Sequence, residues 1–184
     1  MEIFGHTFTI YEVAVRVIGI LGIIFSVISF QYKKHSGIML FRTLNESFFG
    51  VQYILLGAYT GAGINLLSCF RNVVFAERVK KEKTTLPAQI IFSVIFTVIG
   101  IITWEGPKSI LIVVAKVIST FGYGMKNTKF LKITILFTAS CWLVYNLFVG
   151  SIEGALCEAF TLCSIIVALI RMDLIPYIKK KSAR

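Results

Sequence analysis

Gly57-Ala58-Tyr59-Thr60-Gly61-Ala62 returns 93 residues later as Gly150-Ser151-Ile152-Glu153-Gly154-Ala155. Outward from this stretch the register holds without a gap: Ser26 falls on Ser119, Lys33 on Lys126, Ser47 on Ser140 and Arg78 on Arg171. Softer matches keep it, among them Phe49/Trp142, Ile54/Leu147 and Ser68/Thr161. A fixed period of this kind means one structural unit used twice. Each copy is a run of three apolar segments of membrane length, broken by glycine-rich turn signals. Two copies with an odd number of spans share one orientation only if a further segment crosses between them, and residues 88–104 supply it. The expected fold is all-α: a polytopic membrane protein whose seven transmembrane helices form two parallel three-helix repeats joined by a linker helix, a 3+1+3 plan. The first repeat takes residues 1–83, the linker 84–106 and the second repeat 107–184. The expected spans are 9–31, 37–56, 59–77, 88–104, 108–125, 130–149 and 153–171.

Composition agrees. Mean hydropathy is +0.83 and 57% of residues are hydrophobic, far above an ordinary soluble domain. Seven spans of ~20 residues leave little of a 184-residue chain for a soluble domain. The net charge of +10 is not the footprint of a nucleic-acid binder, because the basic residues sit between apolar runs. The run from Ile10 to Phe30 has Glu2 and Glu12 at its front and Tyr32-Lys33-Lys34 behind it. That is the reverse of a signal peptide, so it reads as a retained first span.

Lysine and arginine set the orientation. The stretches 32–42, 71–83, 126–132 and the tail after 170 hold three, five, three and five of them, sixteen of the 19. The opposite side has Lys108, and Arg16 and Lys116 lie within spans. By the positive-inside rule the N-terminus is outside and the C-terminus cytoplasmic. The tail lysines, Lys179 to Lys181, read as an anchor to anionic headgroups.

No catalytic constellation is present. His6 and His35 fall at opposite faces in this topology, and Cys69, Cys141, Cys157 and Cys163 lack metal-ligand spacing. There is no H-E-x-x-H, no G-x-S-x-G and no phosphate-cradling loop. The expectation is therefore no enzyme, no metal, no cofactor and no nucleic acid. The partner is the lipid bilayer.

Two stretches carry a family resemblance: Ser26-Val-Ile-Ser-Phe30-Gln31-Tyr-Lys33-Lys34-His-Ser36-Gly37 and Trp142-Leu-Val-Tyr145-Asn-Leu-Phe-Val-Gly150. The chain resembles the SWEET and PQ-loop transporter superfamily. Within it, Gln52-Tyr53-Ile-Leu-Leu-Gly57-Ala58-Tyr59-Thr60-Gly61, Asn65 and Arg71-Asn72 are similar to the YgjV-like bacterial inner-membrane proteins. The resemblance covers nearly the whole chain and is specific for fold rather than substrate. It implies a substrate site made twice from an aromatic of the second span and an amide of the third: Phe49 with Asn65, and Trp142 with Glu158. Two departures are visible. Phe30 and Tyr123 stand where a hinge proline would be, and Glu158 replaces the second amide, which makes the expected site lopsided and acidic.

Ionisable residues inside spans point the same way without any family. A charge at a helix centre costs about 2.5–3.5 kcal/mol on insertion scales, so Arg16, Glu46, Lys116 and Glu158 should pair or line water. Depth along the spans suggests Arg16 with Glu158 and Glu46 with Lys116. A carboxylate left unpaired in a dry site would hold a proton. Asn45, Gln52, Asn72 and Asn146 join the same seam or tie helices together, with Asn72 assigned to tying. Two functions fit: a transporter moving a small polar solute by alternating access between two three-helix bundles, or a membrane scaffold, assembly factor or receptor that retains the fold.

Overall fold

The computed structural model describes residues 2, 3, 6, 7, 9–31, 35–124 and 128–170. A two-stranded antiparallel ribbon, β1 (Glu2–Ile3) and β2 (His6–Thr7), precedes seven helices among the described residues. These are α1 (Ile10–Gln31), α2 (His35–Leu55), α3 (Tyr59–Lys80), α4 (Leu86–Ile102), α5 (Pro107–Gly124), α6 (Thr128–Val149) and α7 (Ile152–Leu169). The ribbon is an addition to the all-α expectation, too short to show a strand's alternation in sequence. The junctions 32–34 and 125–127 and the basic tail lie outside the described residues.

Judged by length and composition alone, Ile10–Ser29 of α1 is the one described stretch that qualifies to cross a bilayer. Leu86–Ile102 and Ile133–Val149 are apolar but shorter. Helices α2 and α3 fall below that standard for a physical reason: they put charged and amide side chains on one face. A helix with a polar inner face averages as less apolar than its outer face is.

Helix ends follow local chemistry. Gly57 and Gly150, equivalent in the repeat, both adopt a left-handed backbone (φ +70° and +73°) that closes the preceding helix. In each case the next residue donates its N–H five residues back, Ala58 to Tyr53 (2.8 Å) and Ser151 to Asn146 (3.0 Å). Ser151 then caps α7 by accepting from the N–H of Gly154 at 3.1 Å. Glu153 and Gly154, where the seventh span is expected to start, belong to the first turn of α7, because the cap falls at Ser151. Pro87 occupies the first turn of α4, where its missing N–H is harmless.

Consecutive helices pack on one another from α1 to α7, and contacts between α1 and α7 and between α3 and α5 join the two triplets. Those two contacts are images of each other under the 93-residue offset. Close approach is set by small residues. A Cβ on Gly22 would lie 2.9 Å from Phe49 Cε2, and one on Gly61 would lie 2.7 Å from Tyr145 Oη.

The molecule is polar inside and apolar outside. Gln52, Thr60, Arg71, Thr120 and Asn146 are all nearly inaccessible, whereas Phe70, Ile102, Leu147, Phe148 and Phe160 are each more than 60% exposed. A water-soluble protein has no reason to expose that many large apolar side chains while enclosing an arginine.

Candidate functional site

Inward-facing residues, most of them polar, recur at helical spacing. On α2 they are Arg42, Asn45, Glu46, Phe49, Gln52 and Tyr53; on α3 they are Gly61, Asn65, Ser68 and Asn72. Between the triplets these faces enclose a cavity of about 70 Å³. Phe49, Asn65, Trp142 and Glu158 all border it, as do Arg42, Glu46, Lys116 and Tyr123. The described α4 contributes nothing to its lining.

Glu46 is the electrostatic centre. It accepts from Lys116 Nζ at 3.0 Å, from Arg71 Nη2 at 3.3 Å and from Asn72 Nδ2 at 2.6 Å. Arg71 also donates to Thr120 Oγ1 and Asn72 Oδ1, at 3.2 and 2.9 Å. Its guanidinium carbon stands 5.1 Å from the Tyr123 ring centre, and Lys116 Nζ stands 5.4 Å from that of Trp142. Each such contact adds cation–π attraction on the order of 0.5–2 kcal/mol. The Glu46–Lys116 pairing inferred from depth is present.

Three sequence-based expectations need correction. Arg16 pairs with Glu153 at 3.0 Å, and not with Glu158. Depth alone could not separate them, since Glu153 sits just over one helical turn before Glu158 on the same helix. Arg71, counted with the basic stretch 71–83 although it falls within the expected span 59–77, is 1% exposed and belongs to the Glu46 cluster. It lies more than two turns inside α3, on its inner face. Finally, the site is not acidic. Arg42 and Lys116 border the cavity together with the carboxylates of Glu46 and Glu158, and Arg71 stands behind, paired with Glu46. The helical stripe containing Arg42 is the signal that a reading by charge blocks passes over.

One end of the cavity is sealed. Tyr53 Oη donates to Asn146 Oδ1 at 2.6 Å, and the two residues are one full repeat apart. Behind them Gln52 Nε2 donates to Glu153 Oε2 (2.9 Å) and Ser151 Oγ donates to Gln52 Oε1 (2.9 Å). The N–H of Gly61 donates to Tyr145 Oη at 3.0 Å. The Arg16–Glu153 ion pair has its repeat image in the Thr60 Oγ1–Ser109 Oγ contact at 3.1 Å. The same positions thus join the triplets twice, once by charge and once by hydroxyls. From this seal the cavity runs toward Arg42, Tyr123 and Ile135, near the junctions that follow α1 and α5.

Asn72 does tie helices, joining α3 to α2 through Glu46, while Asn45 donates to the Gly22 carbonyl of α1 at 2.8 Å. Among the described residues no cluster of metal-ligating side chains is present, and the four cysteines are unbridged.

The family Imp-YgjV, described as bacterial inner membrane protein, matches the chain over residues 13–174. The chain belongs to this family. It is 21% identical over 141 residues to the inner membrane protein YgjV of Escherichia coli (strain K12), an alignment spanning 77% of this chain and 74% of that one. No solved structure matches. As an Imp-YgjV member the protein is a bacterial inner membrane protein, which accounts for its apolar exterior. The Arg71 and Glu46 cluster is then shielded from lipid by the packing of α2, α3 and α5 around it.

Proposed function

We propose that the protein is a multi-pass carrier moving a small polar solute by alternating access. Two bundles, residues 1–83 and 107–184, rock about the cavity, with 84–106 as the linker span. The observation that carries this reading is the sealed cavity between the triplets, closed by a hydrogen bond between the repeat-equivalent residues Tyr53 and Asn146. A bond joining equivalent positions lies on the axis relating the two halves, so rotating the halves apart stretches it first. This is the geometry a rocking mechanism requires. The SWEET-like resemblance of the sequence fits the same plan, although no hinge proline is present and Tyr123 stacks beneath arginine instead. With the N-terminus outside, the seal faces the periplasm and the cavity faces the cytoplasm.

A second reading, a scaffold that keeps the fold, draws on the layer of Tyr53, Trp142 and Tyr145 rings packed 5.7–6.0 Å apart beside the cavity. Uptake of a metabolite panel into proteoliposomes separates the two. For a carrier, Trp142→Ala weakens solute binding by about 1 kcal/mol or more through lost ring contact. Glu158→Gln changes the pH dependence of uptake, because it removes a titratable wall of the site that Arg42, Glu46 and Lys116 share. Both variants behaving as the parent protein does would favour the scaffold. Orientation is tested separately: a periplasm-dependent reporter fused after Arg184 should be inactive, and an active one would reverse the topology.

A further inference from the structure

We infer that the solute is a small monovalent anion, held by Lys116 and Asn65. The inference rests on reading the cavity as a solute site and adds the solute's chemistry. Five ionisable side chains gather there among the described residues. Arg42, Glu46, Lys116 and Glu158 border the cavity, and Arg71 stands behind, paired with Glu46. Arg42 acts on Glu158 as well as on Glu46, and Glu46 also holds Lys116. Three cations thus share two carboxylates, an excess of one positive charge. The rings of Tyr123 and Trp142 lie against Arg71 and Lys116 and ease their burial, but bring no compensating charge. Arg16, at the sealed end, is already matched by Glu153. Net charge in the membrane interior is costly. A monovalent anion brings the site to neutrality. A zwitterion or a sugar leaves the excess as it is, and a cation doubles it.

Hydrogen bonding says where the anion sits. An ammonium has three donors, and among the described residues Lys116 gives one, to Glu46 at 3.0 Å. Asn65 is 6% exposed and borders the same cavity. Its backbone carbonyl accepts from Cys69 Sγ, but its side-chain amide has no hydrogen-bond partner among the described residues. Other polar groups on the wall are committed: Asn45 donates to the Gly22 carbonyl, and Ser119 and Thr138 donate to carbonyls of their own helices. Lys116 and Asn65 stand on α5 and α3, which pack together. An ammonium and an amide are the donors that a carboxylate or a similar oxyanion accepts from. The cavity of about 70 Å³ has room for roughly five waters at about 10–15 Å³ each, which suits an anion of a few non-hydrogen atoms.

Trp142, whose ring centre lies 5.4 Å from Lys116 Nζ, reports occupancy. In nanodiscs, in a Trp104→Phe background, its fluorescence is titrated with sodium formate, methylammonium gluconate, glycine and glucose, with sodium gluconate holding the ionic strength. Formate should give a saturable change. Glycine should need at least tenfold more, and methylammonium and glucose should give none. Lys116→Gln should weaken formate tenfold or more and Asn65→Leu threefold or more. Glu158→Gln should bind formate as tightly as the parent protein or more tightly, because it removes a competing negative charge. Unchanged formate binding after Lys116→Gln would overturn the anion site; if that variant does not fold, unchanged binding after Asn65→Leu does so. Saturation by methylammonium, glycine or glucose at or below the formate concentration, or none by formate, would overturn the anion and leave the carrier reading to the uptake panel. Saturable formate binding without uptake of any anion in that panel would uphold the anion site and remove the carrier. No saturable response to any of the four, together with absent uptake across the panel, would remove both.

Discussion

Glu46→Gln should destabilise the protein more than any other single change at the cavity. The carboxylate holds Arg71, Lys116 and Asn72 at 2.6–3.3 Å, and Arg71 is 1% exposed. Replacing it with an amide keeps one acceptor oxygen, turns an NH₂ group toward whichever donors the other oxygen held (Lys116 and Arg71, or Asn72), and leaves two buried cations without a counter-charge. Breaking a buried pair from one side costs about 3–5 kcal/mol, and here one carboxylate serves both cations. Thermal or denaturant unfolding in detergent would measure it. Lys116→Met should cost clearly less, because Arg71 and Asn72 continue to satisfy Glu46. The double variant should fall short of the sum of the two losses, since removing Lys116 relieves part of the repulsion that the introduced amide creates. A loss below about 0.5 kcal/mol for Glu46→Gln, the range of an ordinary surface change, would mean the cluster is solvated rather than buried.

Asn146→Leu should open the sealed end. Its amide oxygen is the acceptor of the Tyr53 hydroxyl, and both side chains are nearly inaccessible. Leaving a buried hydroxyl unpaired costs about 1–3 kcal/mol, roughly a five- to 150-fold change in the balance between sealed and open forms. Cys157 reports it, being buried on the cavity wall. In a chain whose only cysteine is Cys157, a membrane-impermeant maleimide applied from the periplasmic side should react at least tenfold faster after Asn146→Leu. Glu153→Gln, which weakens the Arg16 contact and the Gln52 link behind the seal, should act in the same direction to a smaller extent, because the half-buried Arg16 is already partly solvated. Unchanged labelling in both variants would show that the Tyr53–Asn146 layer does not control access.

Much of this arrangement is legible in one dimension. The Gly57/Gly150 turns and the seven helical segments follow from a 93-residue offset and from hydropathy, which are properties of the chain read along its length, whereas the Phe49, Asn65, Trp142, Glu158 set is what the family resemblance implies. The expected span ends agree with the helices to within three residues. The Glu46–Lys116 pair is also accessible, because two opposite charges at similar depth have few other partners.

What depth cannot supply is rotation. Arg16 lies within reach of either carboxylate of α7 by depth, and only the angular position of α7 against α1 selects Glu153. Arg71 and Arg42 look like members of basic blocks when counted along the chain. In three dimensions the inner face of α3 carries Arg71 into the Glu46 cluster, and the inner stripe of α2 carries Arg42 to the cavity. The charge character of the site reverses for that reason. A sequence specifies which residues share a helical face, through the 3.6-residue turn. Which faces meet is decided by the packing of whole helices, because small residues such as Gly22 and Gly61 and the Tyr53–Asn146 bond set how closely and at what rotation they approach.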